Sequence, residues 1–150
     1  MTASRTERAT HRRRAIAGVV GLLVLGTTTS CADYVGASEE ARHDAWVVQN
    51  SIHHTTWTPP ADALAGAVER TLAASGSRGG VYDYATTDEG IAVWFWVDGY
   101  VQSSGALFSA PDASVRLCAR LVVAREPTLK TAECAGKALP LPTGTRVISL

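Results

Sequence analysis

The sequence predicts an α+β domain in which two N-terminal helices pack on one face of a four- to five-stranded antiparallel sheet. Three observations lead there. Apolar residues recur at intervals of three and four through residues 38–75, they recur at intervals of two from residue 81 onward, and the helical pattern precedes all of the strand pattern. Chains that run helices first and strands second fold with the helices gathered on one side of the sheet.

The first helix is read from "SEEARHDAWVVQNSIHH", with Ser38 as its cap and Glu39 and Glu40 in the first turn, where carboxylates favour the positive end of the helix dipole. Ala41, Ala45, Val48 and Ile52 line one face. The second comes from "TPPADALAGAVERTLAASG", with Thr58 as cap, Pro59 at the first helical position, Gly76 beyond the end, and a stripe of Leu64, Val68 and Leu72. "VYDYATT" and "IAVWFWVDGYVQSS" follow as strands around an Asp88–Glu89–Gly90 turn. In the longer one Ile91, Val93, Phe95 and Val97 share a face, and Ala92, Trp94 and Trp96 share the other.

"ASVRLCARLVVAR" places Val115, Leu117, Ala119, Leu121 and Val123 toward the core and Arg116, Cys118 and Arg120 away from it. "TLKTAEC" pairs with it, and "RVISL" adds an edge strand. The contact between layers is expected where Ala45, Val48, Leu64 and Val68 meet Val115, Leu117, Leu121 and Val123.

Upstream of the domain, "HRRRAIAGVVGLLVLGTTTSCAD" runs from three arginines through an uncharged stretch to Cys31. Its strongly apolar part, Ala15 to Gly26, falls short of the roughly 20 residues a spanning helix needs. Arg5, Arg8, Arg12, Arg13 and Arg14 against the single acid Glu7 give the basic, apolar, small-residue order of an export signal. The adjacent arginines admit a twin-arginine route, but only part of the apolar pattern follows, and the unfolded-chain route ranks slightly ahead.

The tail Thr27, Thr28, Thr29, Ser30, Cys31 resembles the lipobox of bacterial lipoproteins, with Thr28 where leucine is commonest. The resemblance covers residues 1–31 and implies that residues 1–30 are cut away, that Cys31 carries a diacylglycerol, and that the protein sits lipid-anchored on the extracytoplasmic face of the cell membrane. Residues 31–37 are then a lipidated tether and 38–150 the domain. The composition and layout also resemble small uncharacterised lipoproteins of actinobacteria, from which no activity carries over.

Removing residues 1–30 leaves nine basic against thirteen acidic residues. This mildly acidic balance gives no support to nucleic-acid binding, which calls for a basic patch. With Cys31 lipidated, Cys118 and Cys134 remain, and outside the cytoplasm such a remainder reads as one disulfide. An antiparallel hairpin around Glu126 would set Cys118 opposite Cys134, Arg120 opposite Ala132 and Val122 opposite Lys130.

Catalytic and metal-binding patterns are weak. His43, Asp44, His53 and His54 lie near one helix, but neighbouring helical residues point about 100° apart and the spacing matches no HExxH pattern. The serines of "ASG" and "SSG" belong to no nucleophile elbow, and "SGSRGG" lacks the lysine of a phosphate-binding loop. No catalytic residue, metal or cofactor is assigned. Trp94 and Trp96, with Tyr82 and Tyr84 on the neighbouring strand, form the one candidate ligand surface, to be weighed against simple packing beneath the helices.

The leading expectation is therefore a non-catalytic envelope protein, anchored in membrane lipid through Cys31, that binds or modulates an envelope protein or small ligand. The alternative is a sugar- or peptide-binding module, or a hydrolase, using the Trp and Tyr surface.

Overall fold

The computed structural model describes residues 34–53, 59–102, 112–134 and 140–150. Helix α1 occupies residues 34–53 and α2 spans Ala61–Ser75. They precede β1 (Arg78–Thr87), β2 (Gly90–Val101), β3 (Ala113–Val123), β4 (Pro127–Thr131) and β5 (Arg146–Ile148). The fold is α+β, as the periodicities predict. Strands β1 to β4 pair antiparallel in sequence order, while β5 lies parallel to β3.

Strand β3 organises the sheet. One edge takes β2 along its whole length, from Ile91 opposite Val123 to Val101 opposite Ala113. Its other edge is divided: β4 pairs with Ala119 to Val123, and β5 with Val115 to Leu117. Val115, Leu117, Ala119 and Leu121 are buried on the helix side beside Val93, Phe95 and Val97 of β2. Ala45 and Val48 of α1 and Leu64 and Val68 of α2 complete this single cluster. Burying each leucine-sized side chain contributes about 1.5–3 kcal/mol.

Helix α1 begins earlier than the sequence indicates. Residues 34–37 are already helical and Ala37 is fully buried, so the stretch between Cys31 and the folded domain is shorter than the expected 31–37 tether. Ser38 is consequently no N-cap; its Oγ donates to the carbonyl of Tyr34, one turn back. Tyr34 itself packs against the core, which gives the extra turn a tertiary reason to form.

Helix α2 also starts elsewhere than expected. Pro59 is not its first residue: the helix begins at Ala61 with extended Pro60 at the cap position and no side-chain cap. A residue that precedes proline is pushed out of the helical region, so Pro59, followed by Pro60, is barred from the helix. Thr58 lies outside the described residues. The C-terminus follows the sequence, with Gly76 in the left-handed region at φ 74° and the amides of Gly76 and Ser77 closing on the carbonyls of Ala73 and Leu72.

Asp88 and Glu89 form the two-residue turn of the first hairpin, closed by Thr87 opposite Gly90. A bulge between Val81 and Asp83 shifts the register of β1.

The β3–β4 register differs from the sequence expectation by two residues. Arg120 faces Lys130 and Val122 faces Thr128, where Ala132 and Lys130 were expected. A slip of two leaves every side chain on its original face, so the apolar pattern alone cannot distinguish the two registers. The three residues 124–126 make the connection, and Val123 opposite Pro127 is the first pair. Cys118 and Cys134 are nonetheless joined, with Cα atoms 5.3 Å apart. The ladder ends at Thr131, the Ala132 amide donates to the Cys118 carbonyl at 2.9 Å, and two residues on Cys134 closes the bond to Cys118. Closing a loop of this size is worth about 3 kcal/mol in the chain-entropy model.

The helix layer approaches the sheet most closely at Gly99. A Cβ there would strike the Ala37 carbonyl oxygen and crowd the Ala41 amide. One residue on, the Tyr100 amide donates to Glu40 Oε2 at 2.7 Å. At the far end of α1, Gln49 Nε2 donates to the Pro127 carbonyl at 2.9 Å. Helix α1 is thus fixed along the sheet at both ends. Gly99→Ala is expected to force helix and strand apart and lower unfolding stability by about 1–3 kcal/mol or more, read as a lower urea midpoint with unchanged slope.

Candidate functional site

Helices α1 and α2 cover one face of the sheet; the candidate surface is the other. Trp94 and Trp96 alternate with Val93, Phe95 and Val97 along β2, so both point away from the helices, and both are half-buried. They are not core residues beneath a helix. The register sets Trp96 opposite Cys118 and Trp94 opposite Arg120 on β3. Trp96 also lies against Gly80 of β1, where a Cβ would meet the indole Nε1 at 3.4 Å and Cε2 at 3.6 Å.

The two indoles do not form an open aromatic shelf. The guanidinium of Arg116 stacks over Trp96 at 4.1 Å from the ring centroid, and that of Arg120 over Trp94 at 5.0 Å. Arg116 is only 2% exposed. A buried guanidinium needs a hydrogen-bonded counter-charge, and Asp98 supplies it through two parallel bonds, Nε to Oδ1 at 2.6 Å and Nη2 to Oδ2 at 2.8 Å. The sequence placed Arg116, Cys118 and Arg120 on this face but did not show that Asp98 stands opposite Arg116. The available signal was two arginines alternating through an otherwise apolar strand.

Arg120 is held less tightly. Its Nη1 lies 3.2 Å from Glu89 Oε2, which also accepts from Lys130 Nζ at 3.1 Å. The hydrogen bond and charge of Lys130, then the charge of Arg120, keep the Glu89 carboxyl below its ordinary pKa.

The disulfide lies on this same face beside Trp96, with Cys118 fully buried. Residues 132–134 pass over the sheet there, and the Tyr82 hydroxyl reaches across from β1 to donate to the Glu133 carbonyl at 3.2 Å. Burial, followed by the charge of Asp83, raises the pKa of Tyr82. Tyr82 therefore reaches the segment that carries the disulfide. Opposite Val93 in the register, Tyr84 is 49% exposed and lines a groove between α2 and β1 with Asp62, Gly66 and Glu69. Tyr82, beside the bulge at Val81–Asp83, borders the same groove while its hydroxyl reaches Glu133.

The remaining polar candidates are accounted for locally. His43 tilts against Trp46 on the solvent side of α1, with ring centroids 6.1 Å apart. His53 is exposed near the end of α1, and His54 lies outside the described residues. Among the described residues no three His, Cys, Asp or Glu side chains gather to share a metal ion. Ser75 Oγ donates to the Leu72 carbonyl and sits 2.6 Å from Ser77 Oγ, as a helix-end contact. Ser103 and Ser104 fall outside the described residues, as does Cys31. No helix among the described residues is long and apolar enough to cross a membrane.

Comparison with protein-family models, curated proteins and solved structures finds no match to this chain. The site must therefore be interpreted from its own chemistry. That chemistry is a sheet face tied together by two arginine–tryptophan stacks, two carboxylates and one disulfide.

Two consequences are measurable. Asp98→Ala strands the Arg116 guanidinium in the sheet and is expected to cost about 3–5 kcal/mol, seen in urea unfolding. Because the folded pKa of Glu89 is depressed, its contribution is present above the unfolded value and is lost as pH falls through the folded one. In an NMR titration Lys130→Met should raise the Glu89 pKa toward the ordinary carboxylate value.

Proposed function

We propose that the protein is an extracytoplasmic lipoprotein, anchored in the membrane through Cys31, that binds or modulates an envelope component without catalysing a reaction. The observation carrying this reading is the run after five arginines whose strongly apolar part, Ala15 to Gly26, is too short to span and which leads through small residues to Cys31. The joined cysteines 118 and 134 support it, because such bonds persist mainly outside the cytoplasm. The chemistry of the sheet face agrees with a non-catalytic role: Asp98 and Glu89 each serve a structural cation. Lipid fits the position of Cys31 because two acyl chains give the stable attachment that one chain cannot.

A second reading is a module for a small sugar or peptide at Trp94, Trp96 and Tyr82. It is favoured by the placement of both indoles outside the helix layer. With Arg116 and Arg120 stacked on the rings, a ligand there would meet indole edges and guanidinium groups, which suits polar or anionic groups better than a bare sugar face.

Cys31→Ser tests the leading reading. The variant is expected to leave the membrane fraction or to accumulate uncut, and mass spectrometry of the wild-type N-terminal peptide should show diacylglycerol on Cys31. A correctly processed variant still recovered with membranes would rule the anchor out.

A further inference from the structure

Exposed apolar side chains are ordinary when scattered singly, but those on α1 are aligned. Val35 is 57% exposed and Trp46 54% exposed. They are eleven residues apart, which at 3.6 residues per turn brings them to within about 20° of one another around the axis and about 16 Å apart along it. Arg42 lies on the same side and donates through Nε to the Ser149 carbonyl at 3.1 Å, so the C-terminal segment borders this stripe. Leu150, next to Ser149, is 42% exposed. The buried side of the helix, Ala37, Ala41, Ala45 and Val48, lies about 135° around the axis from this stripe, which therefore runs along an exposed flank of α1.

The anchor adds the second constraint. Helix α1 is under way at Tyr34, three residues after Cys31, and three residues span at most about 10 Å. If Cys31 is held at the headgroups, the first turn of α1 cannot leave the interface. Val35 is then already at the bilayer surface, and rotation of the domain about its anchor is enough to bring Trp46 down beside it. The tether fixes the local concentration of this face near the membrane at a high value, so a small patch suffices.

We infer that the outward stripe of α1, centred on Val35 and Trp46 with Leu150 at its margin, docks on the lipid bilayer and holds the domain in one orientation. This inference rests on the lipid-anchor reading above. The occupant is the headgroup–acyl boundary itself, because tryptophan, with an apolar body and a polar edge, is suited to that layer. Electrostatic attraction to anionic lipid contributes little, since Glu39 offsets Arg42 on the exposed side of the helix. The contact is therefore apolar and insensitive to salt. Its role is orientation; attachment is already supplied by the lipid.

The test uses the processed, full-length lipidated protein reconstituted in phosphatidylcholine vesicles, with part of the lipid brominated on its acyl chains. Bromines near the headgroup are expected to quench tryptophan emission. Most of that quenching should vanish in Trp46→Phe, which leaves Trp57, Trp94 and Trp96 in place. Val35→Glu, at an exposed position, should weaken the quenching while Trp46 remains. The effect should persist as salt shortens the Debye length from about 30 to about 3 Å. Equal quenching in Trp46→Phe, or no quenching of the wild type, would overturn the docking while leaving the anchor intact. A Trp46 unquenched by bromine yet shielded from acrylamide would overturn the docking and assign the face to a second copy of this chain, the one other protein surface present. Absence of lipid on Cys31 in the mass spectrum would remove the anchor reading and this inference together.

Discussion

The bidentate pair between Arg116 and Asp98 is the interaction on which the outer half of the sheet depends. An arginine in the middle of a central strand, covered on both sides, is an unfavourable placement unless its charge is met. Asp98 meets it from β2 in register, Trp96 covers the guanidinium face, and β5 pairs along the same residues of β3. The neighbouring Cys118 then carries the covalent link to the chain that crosses this face. Each of these features requires the others nearby, which is why the face is closed by stacking and not left as a bare aromatic surface.

Much of the architecture is legible in the sequence because the two periodicities are strong and do not overlap. Val48, Leu64, Val68, Phe95, Leu117 and Leu121 fall where a reading of spacing puts them. What the spacing misses follows from its own symmetry. A two-residue slip in β3–β4 preserves both faces, so Leu129 can oppose Leu121 or Val123 with the same alternation. Cap positions fail for a different reason. Ser38 and Pro59 look right locally, but Tyr34 packs a turn upstream and Pro60 excludes its predecessor, and tertiary contact or proline sterics overrides local preference at both.

The candidate surface is only partly legible. The assignment of Trp94 and Trp96 to the face opposite Val93 and Phe95 needs alternation alone. Pairing Asp98 with Arg116 needs the register between strands, which no single segment contains. Tyr82 and Tyr84 appear equivalent at a spacing of two and both border the groove beside α2, yet across the bulge between Val81 and Asp83 Tyr82 bonds Glu133 while Tyr84 stands opposite Val93. A local insertion of this kind has no apolar signature, so sequence reasoning groups residues that the backbone separates.

The divided edge of β3 works as a slot of fixed length. β4 enters it from one end and runs to Thr131, opposite Ala119; β5 enters from the other and runs to Ile148, opposite Leu117. The two advance head-on and stop on either side of Cys118, where the Leu150 amide meets Thr131 Oγ1 at 3.1 Å. Lengthening either strand by a residue leaves it nowhere to pair except in the space of the other. The sheet thereby meters its own last strand: three residues fit, and the chain must turn out of the ladder where the opposing segment begins.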